Sequence, residues 1–232
     1  MTKESQAKIF LADERGLNQT DWFQSQNTFN FGKYFSEHKR PFGNLYVLND
    51  DMLAGGRAMS LIAEEPTCAI VLPIAGAANC KKNDNEYELV AAGQIYITNL
   101  KEGDKIEVRN PFQSDPINFL QIWIRAELIN DAAKKSLHTY ADVNANINEL
   151  VAACSYDNLF SLYLGKFSGR GETVFNPSKK SAGCFLFVIE GAFEVNGRLL
   201  HARDGLGLWD ANEVEMEALS NDAIILLIET MG

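Results

Sequence analysis

Turn residues punctuate this sequence at short intervals, and that spacing leaves few folds open to it. Short runs rich in Val, Ile, Leu, Phe and Tyr, each closed by Gly, Pro, Asn or Asp, recur along most of its length. They occupy 44–49, 58–63, 68–74, 87–90, 94–99, 105–109 and 117–125, and then 159–167, 183–189, 192–195, 205–208, 213–218 and 224–229. Runs of this length at regular spacing, with turn residues between them, predict β-sandwiches or barrels rather than alternating strands and helices. Between the two sets, 127–148 is polar and rich in Ala and Asn, and reads as a connection with one short helical turn. The chain is therefore expected to be all-β, with barrels over 1–126 and 152–232 and a linker over 127–151.

Local patterns agree. In Lys105-Ile106-Glu107-Val108-Arg109 the charges fall on one face and Ile106 and Val108 on the other, which turns the two aliphatics inward. Glu213, Glu215 and Glu217 alternate in the same way and read as a solvated strand face, since side chains two apart on a strand stand about 7 Å from each other. Asn196-Gly197 supplies the positive φ angles of a two-residue hairpin. The halves also echo each other: Val71-Leu72-Pro73-Ile74-Ala75-Gly76-Ala77 and Phe187-Val188-Ile189-Glu190-Gly191-Ala192-Phe193 both run strand, glycine, strand. A duplicated β-domain follows. Phe119 and Trp123 lie in strong strand patterns and are expected in the core.

The chemistry the chain can support is narrowed by what it carries. Among its 232 residues, Lys and Arg number 21 against 31 Asp and Glu, a net charge of −10 that opposes direct binding of nucleic acid. No apolar run approaches the ~20 residues of a membrane span, and the first ten residues lack the apolar stretch of a signal peptide, so a cytoplasmic location is expected. Cys68, Cys80, Cys154 and Cys184 form no C-x-x-C, and are expected to be reduced and mostly buried. Cys80 adjoins Lys81 and Lys82, which makes it the better candidate for a reactive thiol, with Cys68 second. His38, His138 and His201 are scattered. The motifs of serine hydrolases, zinc proteases, P-loops and dinucleotide-binding folds do not occur.

Ala12-Asp13-Glu14-Arg15-Gly16, Trp22, Thr28-Phe29-Asn30-Phe31-Gly32, Phe42-Gly43-Asn44-Leu45-Tyr46-Val47-Leu48-Asn49, Phe119-Leu120-Gln121-Ile122-Trp123-Ile124 and Val195-Asn196-Gly197 together resemble the pirin-type bicupins, over nearly the whole chain. The resemblance implies two tandem cupin (jelly-roll) barrels. It also implies a metal, usually iron, held in the first barrel by an H-x-H and a later H-x-E, with quercetinase-type dioxygenase activity. Counted from Gly56 and Gly93, those positions fall on Ile62, Glu64, Ile106 and Val108. Three of the four are aliphatic and offer no lone pair, and a single carboxylate is a poor site for iron or zinc. The expectation is a bicupin without cofactor whose pocket is lined by these four residues, with Glu64 either a pocket carboxylate or a solvent-facing loop residue. Its function is expected to be non-enzymatic binding or regulation, including stress response, as a monomer with an unknown protein or small-molecule ligand. The alternatives are a metal-dependent dioxygenase and a thiol-based redox responder.

Overall fold

The computed structural model describes residues 6–126, 136–156, 159–178 and 183–230. It opens with β1 (Gln6–Phe10) and a 3-10 turn at Ala12–Glu14, the only helical element among the described residues. No helix among them is long and apolar enough to cross a membrane. Then come β2 (Gly16–Gln19), β3 (Phe23–Asn27), β4 (Leu45–Leu53), β5 (Ala58–Ile62), β6 (Thr67–Ala75), β7 (Ala78–Lys82) and β8 (Glu88–Val90). β9 (Gln94–Leu100), β10 (Lys105–Arg109), β11 (Ile117–Arg125) and β12 (Leu137–Thr139) complete the first set. The second set is β13 (Glu149–Tyr156), β14 (Phe160–Phe167), β15 (Glu172–Phe175), β16 (Gly183–Glu190) and β17 (Ala192–Val195). It ends with β18 (Arg198–His201), β19 (Gly205–Trp209), β20 (Val214–Ala218) and β21 (Ala223–Thr230).

The strands form two compact units. The first, Arg15–Thr139, has a seven-stranded sheet in the order β12-β9-β6-β11-β4-β3-β2 and a four-stranded sheet in the order β5-β10-β7-β8. The second has β1-β19-β16-β21-β14-β13 and β15-β20-β17-β18. Adding ten to each strand number in the run β9-β6-β11-β4, or in β5-β10-β7-β8, gives the corresponding run of the other unit. The topology is therefore a duplicated jelly roll with antiparallel pairing throughout. The glycines of the echoed segments sit at equivalent turns, Gly76 with φ +82° and Gly191 with φ +78°, a region glycine enters without strain. The Asn196-Gly197 hairpin joins β17 to β18 with φ of 44° and 72°, as its sequence predicts.

The unit boundaries differ from those read in the sequence. β1 pairs with β19, Phe10 standing opposite Gly205, so the N-terminal strand completes the second barrel and not the first. The edge of β19 offers unpaired backbone groups, and Gly205 has no side chain to obstruct the Phe10 and Phe185 rings, whose centroids lie 5.5 Å apart. Within the supposed linker, β12 pairs with β9 and closes the first barrel, with Leu137 packed against that barrel's core. Any helical turn over 127–135 lies outside the described residues; 136–148 holds β12 and turns.

Each barrel encloses its own core. Val47, Val71, Ile106, Val108, Phe119 and Trp123 belong to the first. Leu186, Phe193, Leu206, Val214, Ile225 and Leu227 belong to the second.

Candidate functional site

The first barrel's interior is built where β5, β10 and β7 run side by side. Met59 of β5 stands opposite Val108 of β10, which stands opposite Cys80 of β7; Leu61 stands opposite Ile106. Directly paired residues of antiparallel strands point to the same face. Ile106 and Val108 are fully buried, in agreement with the alternation of their segment. Met59 and Ala63 are buried with them, and Leu61 packs against the same cluster.

Ile62 and Glu64 do not line this interior, which corrects the placement read from the sequence. Ile62 is 63% exposed and Glu64 is exposed as well. The cause is strand parity: with Met59, Leu61 and Ala63 turned inward, the residues between them must face outward. An aliphatic side chain at an exposed strand position gave no sequence signal of this.

The metal that the resemblance implies does not fit the residues present. Around Ile106 and Val108 the inward neighbours are hydrocarbon, a thioether and the Cys80 thiol. Hard or borderline cations need several N, O or thiolate donors converging on one point. Among the described residues, no group of three His, Cys, Asp or Glu side chains could hold a metal ion. His138 lies on β12, opposite Ile95 of β9, and His201 is exposed on β18; neither is on β5 or β10.

The thiol candidates are corrected too. Cys80 is fully buried, and burial above all, with the nearby Glu88 charge, pushes its thiol far above the ordinary range. Lys81 and Lys82 follow it in sequence, but Cys80 itself points into the core while Lys82 pairs with Asp104 at 2.8 Å. Cys68 is fully buried. Burial pushes Cys154 and Cys184 up to about 12. A reactive thiol needs exposure and a stabilised thiolate, and none of these sites provides both.

A different polar feature lies on the interior face of the larger sheet. Asn27, Asn49 and Gln121 stand side by side across β3, β4 and β11, and Ser25 and Asp51 form the next row. All five are buried. Ser25 Oγ donates to Asn27 Oδ1 at 2.8 Å, and Gln121 Nε2 donates to Met59 Sδ at 3.4 Å. Asn27 Nδ2, both head-group atoms of Asn49, Asp51 Oδ1 and Gln121 Oε1 have no partner among the described residues. Left unmet, each costs ~1–3 kcal/mol, so together they would rival the ~5–15 kcal/mol net stability of a domain. Burial raises the Asp51 carboxyl to about 7; a hydrogen bond with Ser25 opposes the rise and the Asp50 charge adds to it.

These residues were not among the sequence candidates. The signal was present: Val47, Asn49, Asp51 and Leu53 continue a single strand face past the point where Asn49-Asp50-Asp51 suggests a turn.

The second barrel carries two further polar sites. Glu229 is fully buried, its Oε1 accepting from Ser178 N at 2.6 Å and Ser178 Oγ at 2.7 Å. On the outer face, Glu172, Glu217 and Glu194 stand in one row across β15, β20 and β17, and with Glu215 they line a shallow groove. Arg170 Nη1 meets Glu217 Oε1 at 2.6 Å and offsets part of that charge. This agrees with a solvated acidic strand face.

Comparisons with known proteins give the same picture. A family model described as the quercetinase C-terminal cupin domain matches residues 158–230. A quercetin 2,3-dioxygenase of Escherichia coli K12 is 22% identical over 220 residues, covering 93% of this chain and 95% of that protein. The crystal structure of YhhW from Escherichia coli superposes with a TM-score of 0.86 at 21% identity, covering 97% of each chain. A second structure, of the bacterial pirin YhhW in complex with nickel(II), gives 0.80 at 22% identity over 97% of this chain and 99% of that one. Two jelly rolls in duplicate order, a second barrel matched to that cupin domain and relatives aligned over nearly their whole length lead to one conclusion: the chain has a tandem cupin fold, similar to that of the bacterial pirins.

Proposed function

We propose that this bicupin is a binding or regulatory protein and not a metal-dependent dioxygenase. The reading rests on one observation: Ile106 and Val108 are fully buried among Met59, Leu61 and Cys80, where the resemblance puts metal ligands. Hydrocarbon at those positions removes donor atoms and also excludes the water that an open coordination position holds. The protein acts as a cytoplasmic monomer on a small-molecule or protein ligand, a reading supported by its four free cysteines and its net charge of −10.

The test is aerobic incubation with quercetin after exposure to nickel(II) or iron(II), with the Escherichia coli quercetin 2,3-dioxygenase run alongside. The expected result is quercetin loss no faster than in protein-free buffer. Metal-dependent loss at a rate near that of the control enzyme would overturn the reading.

A further inference from the structure

The larger sheet of the first barrel carries a second set of polar groups, independent of the positions considered for a metal. Asn27, Asn49 and Gln121 present a row of carboxamides to the barrel interior, with Asp51 beside them. Their unpartnered atoms are two amide donors, on Asn27 and Asn49, and three acceptors, on Asn49, Gln121 and Asp51. This mixture selects the occupant by elimination. A cation would face two N–H groups, and an anion would face the Asp51 carboxyl with the Asp50 charge close by. Only an uncharged molecule that both donates and accepts meets all five atoms. The surrounding Val47, Leu53 and Phe119 offer only hydrocarbon, Trp123 adds one indole N–H that is itself without a partner among the described residues, and together they keep the site closed from solvent.

We propose that Asn27, Asn49, Asp51 and Gln121 form a closed binding site for small uncharged hydrogen-bonding guests, and that water is the guest held in the isolated protein. A buried water makes about three hydrogen bonds, so five open atoms correspond to about two waters bonded to each other as well. The site goes beyond the binding role proposed above and stands or falls separately from it, because its readout is bound water and not metal or quercetin.

Oxygen-17 water relaxation dispersion counts long-lived internal waters in the intact protein. The expected result is that Asn49→Leu, which removes two of the five open atoms, lowers the dispersion amplitude by about one water relative to wild type. An unchanged amplitude in the folded variant would overturn the proposal. Should Asn49→Leu fail to fold, the wild type decides the matter: nuclear Overhauser effects from water to the side-chain amides of Asn49 and Asn27 are expected, and their absence overturns the site.

Discussion

Ser25 of β3 stands directly opposite Asp51 of β4, and both are sealed inside the first barrel. Burial is the dominant influence on that carboxyl; Asp50 adds to the rise and the hydrogen bond with Ser25 only partly offsets it, leaving it at about 7. The folded protein therefore holds this proton more tightly than the unfolded chain, whose Asp titrates near 3.8. Folding takes up a proton between those two values, so stability falls as pH rises through about 4 to 7 and is flat in this respect above it. The group's share is on the order of 4 kcal/mol. Urea midpoints measured across this range are expected to decline in wild type and to decline less in Asp51→Asn. Parallel slopes for the two proteins would show that Asp51 titrates normally.

The parity of β5 and β10 gives a paired expectation. Ile106→Ala opens a void in the core and is expected to cost about 2–5 kcal/mol, whereas Ile62→Ala, at an exposed position, is expected to change stability by less than about 0.5 kcal/mol. Denaturant titration of both variants checks it. Equal costs would mean that β5 runs with the opposite face inward.

Gly191 turns the chain between β16 and β17 with φ +78°, and a Cβ there would lie 2.9 Å from the Ala223 Cβ and 3.0 Å from its Cα. Gly191→Ala is expected to cost more than about 1 kcal/mol, through conformational strain and backbone crowding together. A thermal melt within error of wild type would count against the turn geometry.

Burial of Cys68, Cys80 and Cys184 makes native thiol chemistry slow. With Cys80, Cys154 and Cys184 all raised by burial, a disulfide-exchange reagent at pH 8 is expected to label the folded chain far more slowly than the denatured one. Rapid modification of Cys80, mapped by mass spectrometry on native protein, would restore the redox reading.

Much of this was legible locally. Alternation in 105–109 turned Ile106 and Val108 inward, the Asn196-Gly197 pair fixed a hairpin, and the echo around Gly76 and Gly191 announced the duplication that the strand orders display. What escaped depends on pairing across long sequence distances. Nothing in Gln6–Phe10 says that its partner is β19, nearly two hundred residues away. The short β12 is specified by the edge it covers more than by its own composition. Ile62 misled because a count from Gly56 gives a position along the chain and not a face, and only the register with β10 assigns that face. Asn49 and Asp51 were hidden for the opposite reason: polar residues in mid-strand look like a turn until Leu53 resumes the buried face.

The first barrel presents hydrocarbon where a metal would need donors, and its metal content follows from that. The full chain, produced in medium supplemented with iron and nickel and dialysed against a chelator, is analysed by inductively coupled plasma mass spectrometry. Only trace, substoichiometric metal is expected. The variant carrying Ile62→His, Glu64→His, Ile106→His and Val108→Glu is also expected to stay metal-poor, because Ile62 at the end of β5 and Glu64 just beyond it are both exposed. Iron or nickel approaching one ion per wild-type chain would mean that the barrel holds donors at these positions after all.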